Sequence, residues 1–325
     1  MTTLQEQRPA VPNSGPRPTR RLPDLFRILC WVAAIATVAT LAWLIGEIVR
    51  QSWPAISKFG FSFVSEAKWI PSRDQFGVLP FIVGTALSSL IALLLAFPLG
   101  LAIAIFLSED FLPLPVRQVV RFTVEMLAAI PSVVYGLWGI VVLVPMMNEF
   151  GRWAVKAFKG VPVLDTLFHA PAYGNSLLTA SLVLALMILP TLTAISRSAL
   201  VAVPATLREG SYALGATRWE TIFRVLLPTA APGVVAATIL ALGRAMGETM
   251  AVAMLIGNSP RLTFSLVSPS GTLASLLANQ FGEASDLQIN ALMYAALLLM
   301  ALTLFVNIAG ELVLRYTQRR TAGIR

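Results

Sequence analysis

Six strongly apolar stretches of the chain carry no Asp, Glu, Lys or Arg: residues 28–46, 75–108, 126–148, 166–196, 225–243 and 287–310, each of 19 to 34 residues. A helix needs about 20 apolar residues to cross the hydrocarbon of a bilayer. In lipid, backbone groups must be satisfied within the segment, which makes helices the simplest spanning solution. Composition agrees. The 325 residues are 57% hydrophobic and 12% charged, where a soluble domain carries about 25% charged residues. A soluble globular enzyme and a disordered chain are both excluded. With Cys30 the one cysteine and His169 the one histidine, there is no disulfide framework within the chain and no His-pair metal site.

The runs predict an all-α, polytopic integral membrane protein with six transmembrane helices, near 25–48, 77–107, 118–147, 175–199, 229–257 and 289–314. The long run 75–108 has no polar turn that would let it reverse, so it is expected to be one long helix that Pro98 and Gly100 kink or break. Residues 1–24 hold five Pro and four Arg and read as a disordered tail. Small-x-small patterns such as Ala34-Ile35-Ala36 sit inside the first run rather than after it. That favours an uncleaved first span over a removed leader. With both termini in the cytoplasm, 15 of the 24 Lys and Arg fall inside and eight outside, as the positive-inside bias requires. The net charge of +8 suits an anionic inner leaflet, a membrane lipid partner, and calls for no nucleic acid.

The expected division is a basic, Pro-rich tail (1–24), a first span with its external loop (25–76), a core of five spans (77–316) and a basic tail (317–325). Loops near 49–76, 148–174 and 258–288 are too short to build an independent core. No G-x-x-x-x-G-K-[ST] phosphate loop is present, and none of the four Lys follows a Gly. Any nucleotide that powers this chain is therefore bound by another.

Three segments carry chemistry. The fifth run is interrupted by Gly243-Arg244-Ala245-Met246-Gly247-Glu248-Thr249-Met250. Arg244 falls about 15 residues past Pro228, so ~22 Å of helix rise puts it near or past the bilayer midplane. An Arg there costs at least about 2.5–3.5 kcal/mol. Glu248, four residues on, is expected to share its helical face and pair with it. Gly243 and Gly247 form a G-x-x-x-G step for a close neighbour helix. The pair reads either as a packing device or as part of a substrate path, with Arg244 a transient counterion whose planar fork suits a tetrahedral oxyanion.

In the third run, Pro131 removes a helix hydrogen bond and frees a carbonyl near residue 127. Ser132, Tyr135 and Gly136 then either line a cavity or mark a simple kink. Glu125 sits nearby as an interfacial charge. Before the fifth run, residues 205–228 read as a helix, a turn at Gly215 in the left-handed conformation, and a second helix ending near Pro228. Taken alone, that segment fits an amphipathic connector on the membrane surface.

Its spacing says more. Glu209-Gly210-Ser211, Gly215, Val225 and Leu227-Pro228 resemble the E-A-A-x3-G-x9-I-x-L-P motif of ABC importer permeases. Gly210 and Ser211 replace the two alanines. Together with Ile130-Pro131-Ser132-Val133-Val134-Tyr135-Gly136-Leu137-Trp138-Gly139 and the Arg244–Glu248 segment, the chain from about 25 to 314 resembles permease subunits of the bacterial phosphate-specific ABC importer, in the type I ABC importer permease family. The resemblance implies a coupling loop at 200–228 (Glu209, Gly210, Ser211, Ala213, Gly215, Arg218, Pro228) that engages an ATPase. It implies a substrate path through Arg244 and Glu248, to which the residue reading adds Ser132 and Tyr135. The partners implied are a second, PstA-like permease, a dimeric PstB-like ATPase and an external PstS-like phosphate-binding protein. No catalytic set, metal site or cofactor is expected. The alternatives are a permease for another oxyanion, sulfate or molybdate, and an ion-driven secondary anion transporter using Glu125 and Glu248. Against the latter stand the coupling-type loop and the lack of an inverted repeat.

Overall fold

The computed structural model describes residues 24–109, 111, 113–169 and 172–322; the predicted tail, up to residue 23, and the last three residues lie outside them. Two units are distinguished, Met1–Glu47 and Ile48–Arg325. The described part of the first is the leading portion of helix α1 (Asp24–Phe59). It is apolar, holds Cys30, and returns its Thr37 and Thr40 hydroxyls to the Ala33 and Ala36 carbonyls.

The second unit continues α1 through Pro54 and adds α2 (Ser62–Ser65) and a two-residue antiparallel ribbon, β1 (Trp69–Ile70) with β2 (Gln75–Phe76). Then follow α3 (Leu79–Ser108), α4 (Leu114–Ala129), α5 (Ser132–Trp138) and α6 (Val144–Ala157). The chain continues through α7 (Leu164–Leu167), α8 (Leu177–Val201), α9 (Ala205–Ala213) and α10 (Arg218–Thr221). It ends with α11 (Leu227–Gly247), α12 (Met250–Leu255), α13 (Leu273–Gln280) and α14 (Asp286–Ala322). Six helical stretches among the described residues are long and apolar enough to span a membrane: Leu25–Phe59, Leu79–Ser108, Ser132–Ala157, Leu177–Val201, Arg218–Gly247 and Asp286–Thr317.

Two predicted spans need correction. The third was placed at 118–147 as one helix. Instead the chain breaks at Ile130–Pro131, both extended (ψ 126° and 142°). Proline has no N–H and forbids helical geometry to the residue before it. The span is therefore Ser132–Ala157, with a wide turn at Gly139–Leu143 joining α5 to α6. Helix α4 is a separate amphipathic element, and its Glu125 pairs with Arg121 at 2.7 Å on an exposed face. The fifth span was placed at 229–257. It starts earlier, at Arg218, because a wide turn at Ile222–Leu226 leads α10 into α11 with Pro228 in the first turn of α11. The wide turn, in which Leu227 N bonds to Ile222 O five residues back, accommodates Pro228, which has no N–H to add to the ladder. The helix then stops at Gly247, and α12 is a separate short piece. The third run's neighbour, α3, is one long helix, as expected, and Pro98 does not break it.

Helix α8 is the centre of the unit. It packs against α3 and α11 through small residues: Ala92, Ala96, Ala180, Ala185, Ala237, Ala241 and Ala245 belong to one buried cluster with Leu184, Ile188 and Leu192. Lipid gives helices no hydrophobic reason to associate, so close approach of small residues supplies the packing energy. A side chain at Gly100 would run into Leu192, and Thr193 donates to the Gly100 carbonyl at 3.3 Å. The orphan N–H groups at the start of α8 are met by the end of α12 and the loop after it. Ser176 N donates to Leu255 O, Leu177 N to Ser268 O and Leu178 N to Leu266 O (2.8–3.2 Å). A second buried cluster joins α2, β1 and β2 to α13 and α14: Phe63, Trp69, Phe76, Leu273 and Tyr294. In it Phe63 stacks on Tyr294 at 4.4 Å and Trp69 donates to Gln280 at 2.7 Å.

Candidate functional site

Two interruptions in the spans and one surface loop position the predicted residues. At the first interruption, Pro131 leaves the Leu127 carbonyl without its helical donor. The Tyr135 hydroxyl supplies the missing hydrogen bond, 2.9 Å from that oxygen. Tyr135 is 7% exposed. With Leu127, Ile130, Val134, Trp138 and Leu186 its ring lines an apolar cavity of about 310 Å³. Ser132, the first residue of α5, is half-buried and makes no side-chain hydrogen bond among the described residues. Helix α5 meets α12 without room for side chains at Gly136, against Met254, or at Gly139, against Leu255.

At the second interruption Arg244 occupies the last turn of α11. A cation there is favoured by the negative end of the helix dipole, by about 0.3–1 kcal/mol. Glu248 is already extended (φ −70°, ψ 126°). The expected four-residue register is therefore lost, and no ion pair joins Arg244 to Glu248. Instead the guanidinium crosses to α8, where Nη1 donates to Thr191 Oγ1 at 2.9 Å. A guanidinium has five N–H donors, and one is used among the described residues. Gly243 abuts Asn307 of α14, while a side chain at Gly247 would meet nothing within 4 Å among the described residues. The G-x-x-x-G step thus serves one close contact and one helix end.

The loop after α8 has the predicted shape. Helix α9 has no buried residue. Gly215 adopts φ +82°, its N–H bonding to Tyr212 O (2.9 Å) while Ala216 N bonds to Ser211 O (3.2 Å). Thr217 and Glu220 form a reciprocal cap that starts α10. The Ser211 and Thr221 hydroxyls are 2.9 Å apart and tie α9 to α10. Glu209, Gly210, Ala213 and Arg218 are exposed, and Leu214 is 91% exposed. The loop is anchored to the end of α3 by the Arg208–Glu109 ion pair at 3.1 Å and by Phe111 stacked on Trp219 at 5.1 Å. A cavity of about 600 Å³ opens between α9 and α10, lined in part by Gly210, Ser211, Leu214 and Glu220. The one predicted loop feature that fails is a helix end at Pro228.

The family model described as "Binding-protein-dependent transport system inner membrane component" matches residues 96–323. The chain belongs to this family. It is a multi-pass inner-membrane component of an ABC transporter, a transport subunit rather than an enzyme. It is 41% identical to the phosphate transport system permease protein PstC of Mesorhizobium japonicum, over 99% of this chain and all of that protein. To the PstC of Pasteurella multocida it is 43% identical, over 91% and 92% of the two chains. In fold it is similar to a chain of a bacterial alginate ABC transporter solved with its pentasaccharide-bound periplasmic protein. That match has a TM-score of 0.58 and 15% identity, and covers 86% of this chain and 92% of that one. Thr191 was missed in the sequence. Its only signal there is a hydroxyl following Pro190 in an apolar helix.

Proposed function

We propose that the chain is the transmembrane permease subunit of an importer that moves inorganic phosphate into the cell, with ATP hydrolysis in a separate subunit. The observation that carries this is full-length kinship at 41–43% identity with phosphate transport permeases. The site supplies matching chemistry: a guanidinium with unused donors, at a helix end, with no carboxylate paired to it. Arg244 serves as a transient counterion that lowers the desolvation barrier for an oxyanion during passage. Glu248, at the same break, limits how long the anion rests there. Ser132 and Tyr135 flank the path at the neighbouring break.

Under this reading both termini are cytoplasmic. A PstA-like permease completes the path, a dimeric PstB-like ATPase docks on the α9–α10 loop, and a PstS-like protein delivers phosphate from outside. Closure of the ATPases moves the loops as rigid bodies and opens the path outward; hydrolysis resets it. The loop residues Glu209, Gly210, Ser211, Ala213, Gly215 and Arg218 form the lever, and Pro228 lies where it enters the membrane helix. The test is uptake of labelled phosphate, sulfate and molybdate by the complex reconstituted in vesicles. Phosphate entry that requires internal ATP and resists excess sulfate is expected. Preferred entry of sulfate or molybdate, or entry driven by an ion gradient without ATP, would overturn the proposal.

A further inference from the structure

Hydroxyls in these spans generally return to their own helix. Thr85 donates to the Phe81 carbonyl at 2.7 Å, Ser198 to Ala194 at 2.9 Å, Thr229 to Val225 at 2.6 Å and Thr238 to Val234 at 2.8 Å. This is the ordinary way to satisfy a hydroxyl in lipid. Thr191 departs from it. Its Oγ1 accepts from Arg244 at 2.9 Å, and its own proton has no acceptor among the described residues. The residue is half-buried and Arg244 is exposed, so neither is sealed in the core. A hydroxyl whose lone pair is engaged by a cation is polarised into a stronger donor. Two kinds of donor, one charged and one neutral, therefore converge on one spot between α8 and α11.

We infer that Thr191 is a second oxyanion ligand on the path. Its O–H donates to one oxygen of the passing anion while N–H groups of Arg244 donate to others. A single Arg attracts any anion; a fixed O–H beside it selects one that presents a second acceptor at tetrahedral spacing. The hydroxyl also fixes the guanidinium between passages, the role expected of Glu248 from the sequence. This inference rests on the phosphate-path reading of Arg244.

The experiment uses the reconstituted complex with Thr191→Val and Thr191→Ser, scored as phosphate taken up per ATP hydrolysed. Loss of a hydrogen bond to a charged ligand predicts about a tenfold fall for the Val variant, and the Ser variant is expected to stay within about twofold of wild type. A second measurement does not depend on activity. Thr191→Cys, in a Cys30→Ser chain, is exposed to a small charged methanethiosulfonate, and modification is read by mass on this chain. Labelling is expected, because the position faces water on the path. Uptake by the Val variant within twofold of wild type, or absence of labelling at position 191, would overturn the inference. If Arg244→Gln loses uptake while Thr191→Val keeps it, the role of Thr191 alone fails. If Arg244→Gln also keeps uptake, the path reading beneath it fails too.

Discussion

A break precedes the third span and another follows the fifth, and the two breaks have different causes. Pro131 imposes the first break covalently, through the missing N–H and the geometry it forbids to Ile130. The molecule then repairs the damage: the Tyr135 hydroxyl takes the orphaned Leu127 carbonyl at 2.9 Å, inside an apolar surround. The second break has no proline. It falls at Gly247-Glu248-Thr249, where the Thr249 hydroxyl donates to Gly247 O at 3.2 Å and α12 docks on α5. That neutral hydroxyl meets the backbone carbonyl, but the charge of Arg244 has no ion pair among the described residues. A guanidinium is left facing a hydroxyl, with donors to spare. A sealed break is architecture, whereas a break that keeps a charge available is where transport chemistry can occur.

That contrast can be broken in graded ways. The largest effect is expected from joining the two regions badly. Gly136→Leu places a side chain where Met254 and Ala251 of α12 already lie. Overpacking of this kind costs about 1–3 kcal/mol or more, so a sharply lower yield and unfolding temperature of the purified complex are expected. Next is Tyr135→Phe, which strands the Leu127 carbonyl. An unsatisfied buried acceptor costs about 1–3 kcal/mol, so the unfolding temperature should fall while uptake per assembled complex stays within about threefold. If uptake fails with stability intact, the sealed break is not merely architectural. Smallest is Glu248→Gln. Without an ion pair to lose, its effect on unfolding is expected within about 0.5 kcal/mol. A clear loss of stability would mean that the carboxylate is bonded after all.

Much of this layout was legible beforehand. Charge-free runs located the spans, because lipid penalises charge strongly enough to dominate any local preference. Gly215 was legible because one backbone conformation there needs no side chain. What was not legible came from tertiary structure. In the run 126–148 the missing N–H of Pro131 was legible, but not that it separates α4 from the span that follows. Glu248 was given to Arg244 because sequence assumes that a helix continues until a breaker appears, and Gly247-Glu248 is a weak one. Thr191 lies 53 residues from Arg244, so no spacing rule reaches it. The aromatic cluster of Phe63, Trp69 and Phe76 formed with residues of α13 and α14, which the shortness of each loop concealed.

The most direct measurement is phosphate uptake and ATP hydrolysis, side by side, by the reconstituted complex carrying Arg244→Gln. The account predicts that uptake falls by about two orders of magnitude or more, as expected for losing a charge-assisted contact with an anion in a low-dielectric path, while the complex assembles and still hydrolyses ATP. Uptake near the wild-type rate would contradict it and reduce Arg244 to a residue that packs α11 against α8.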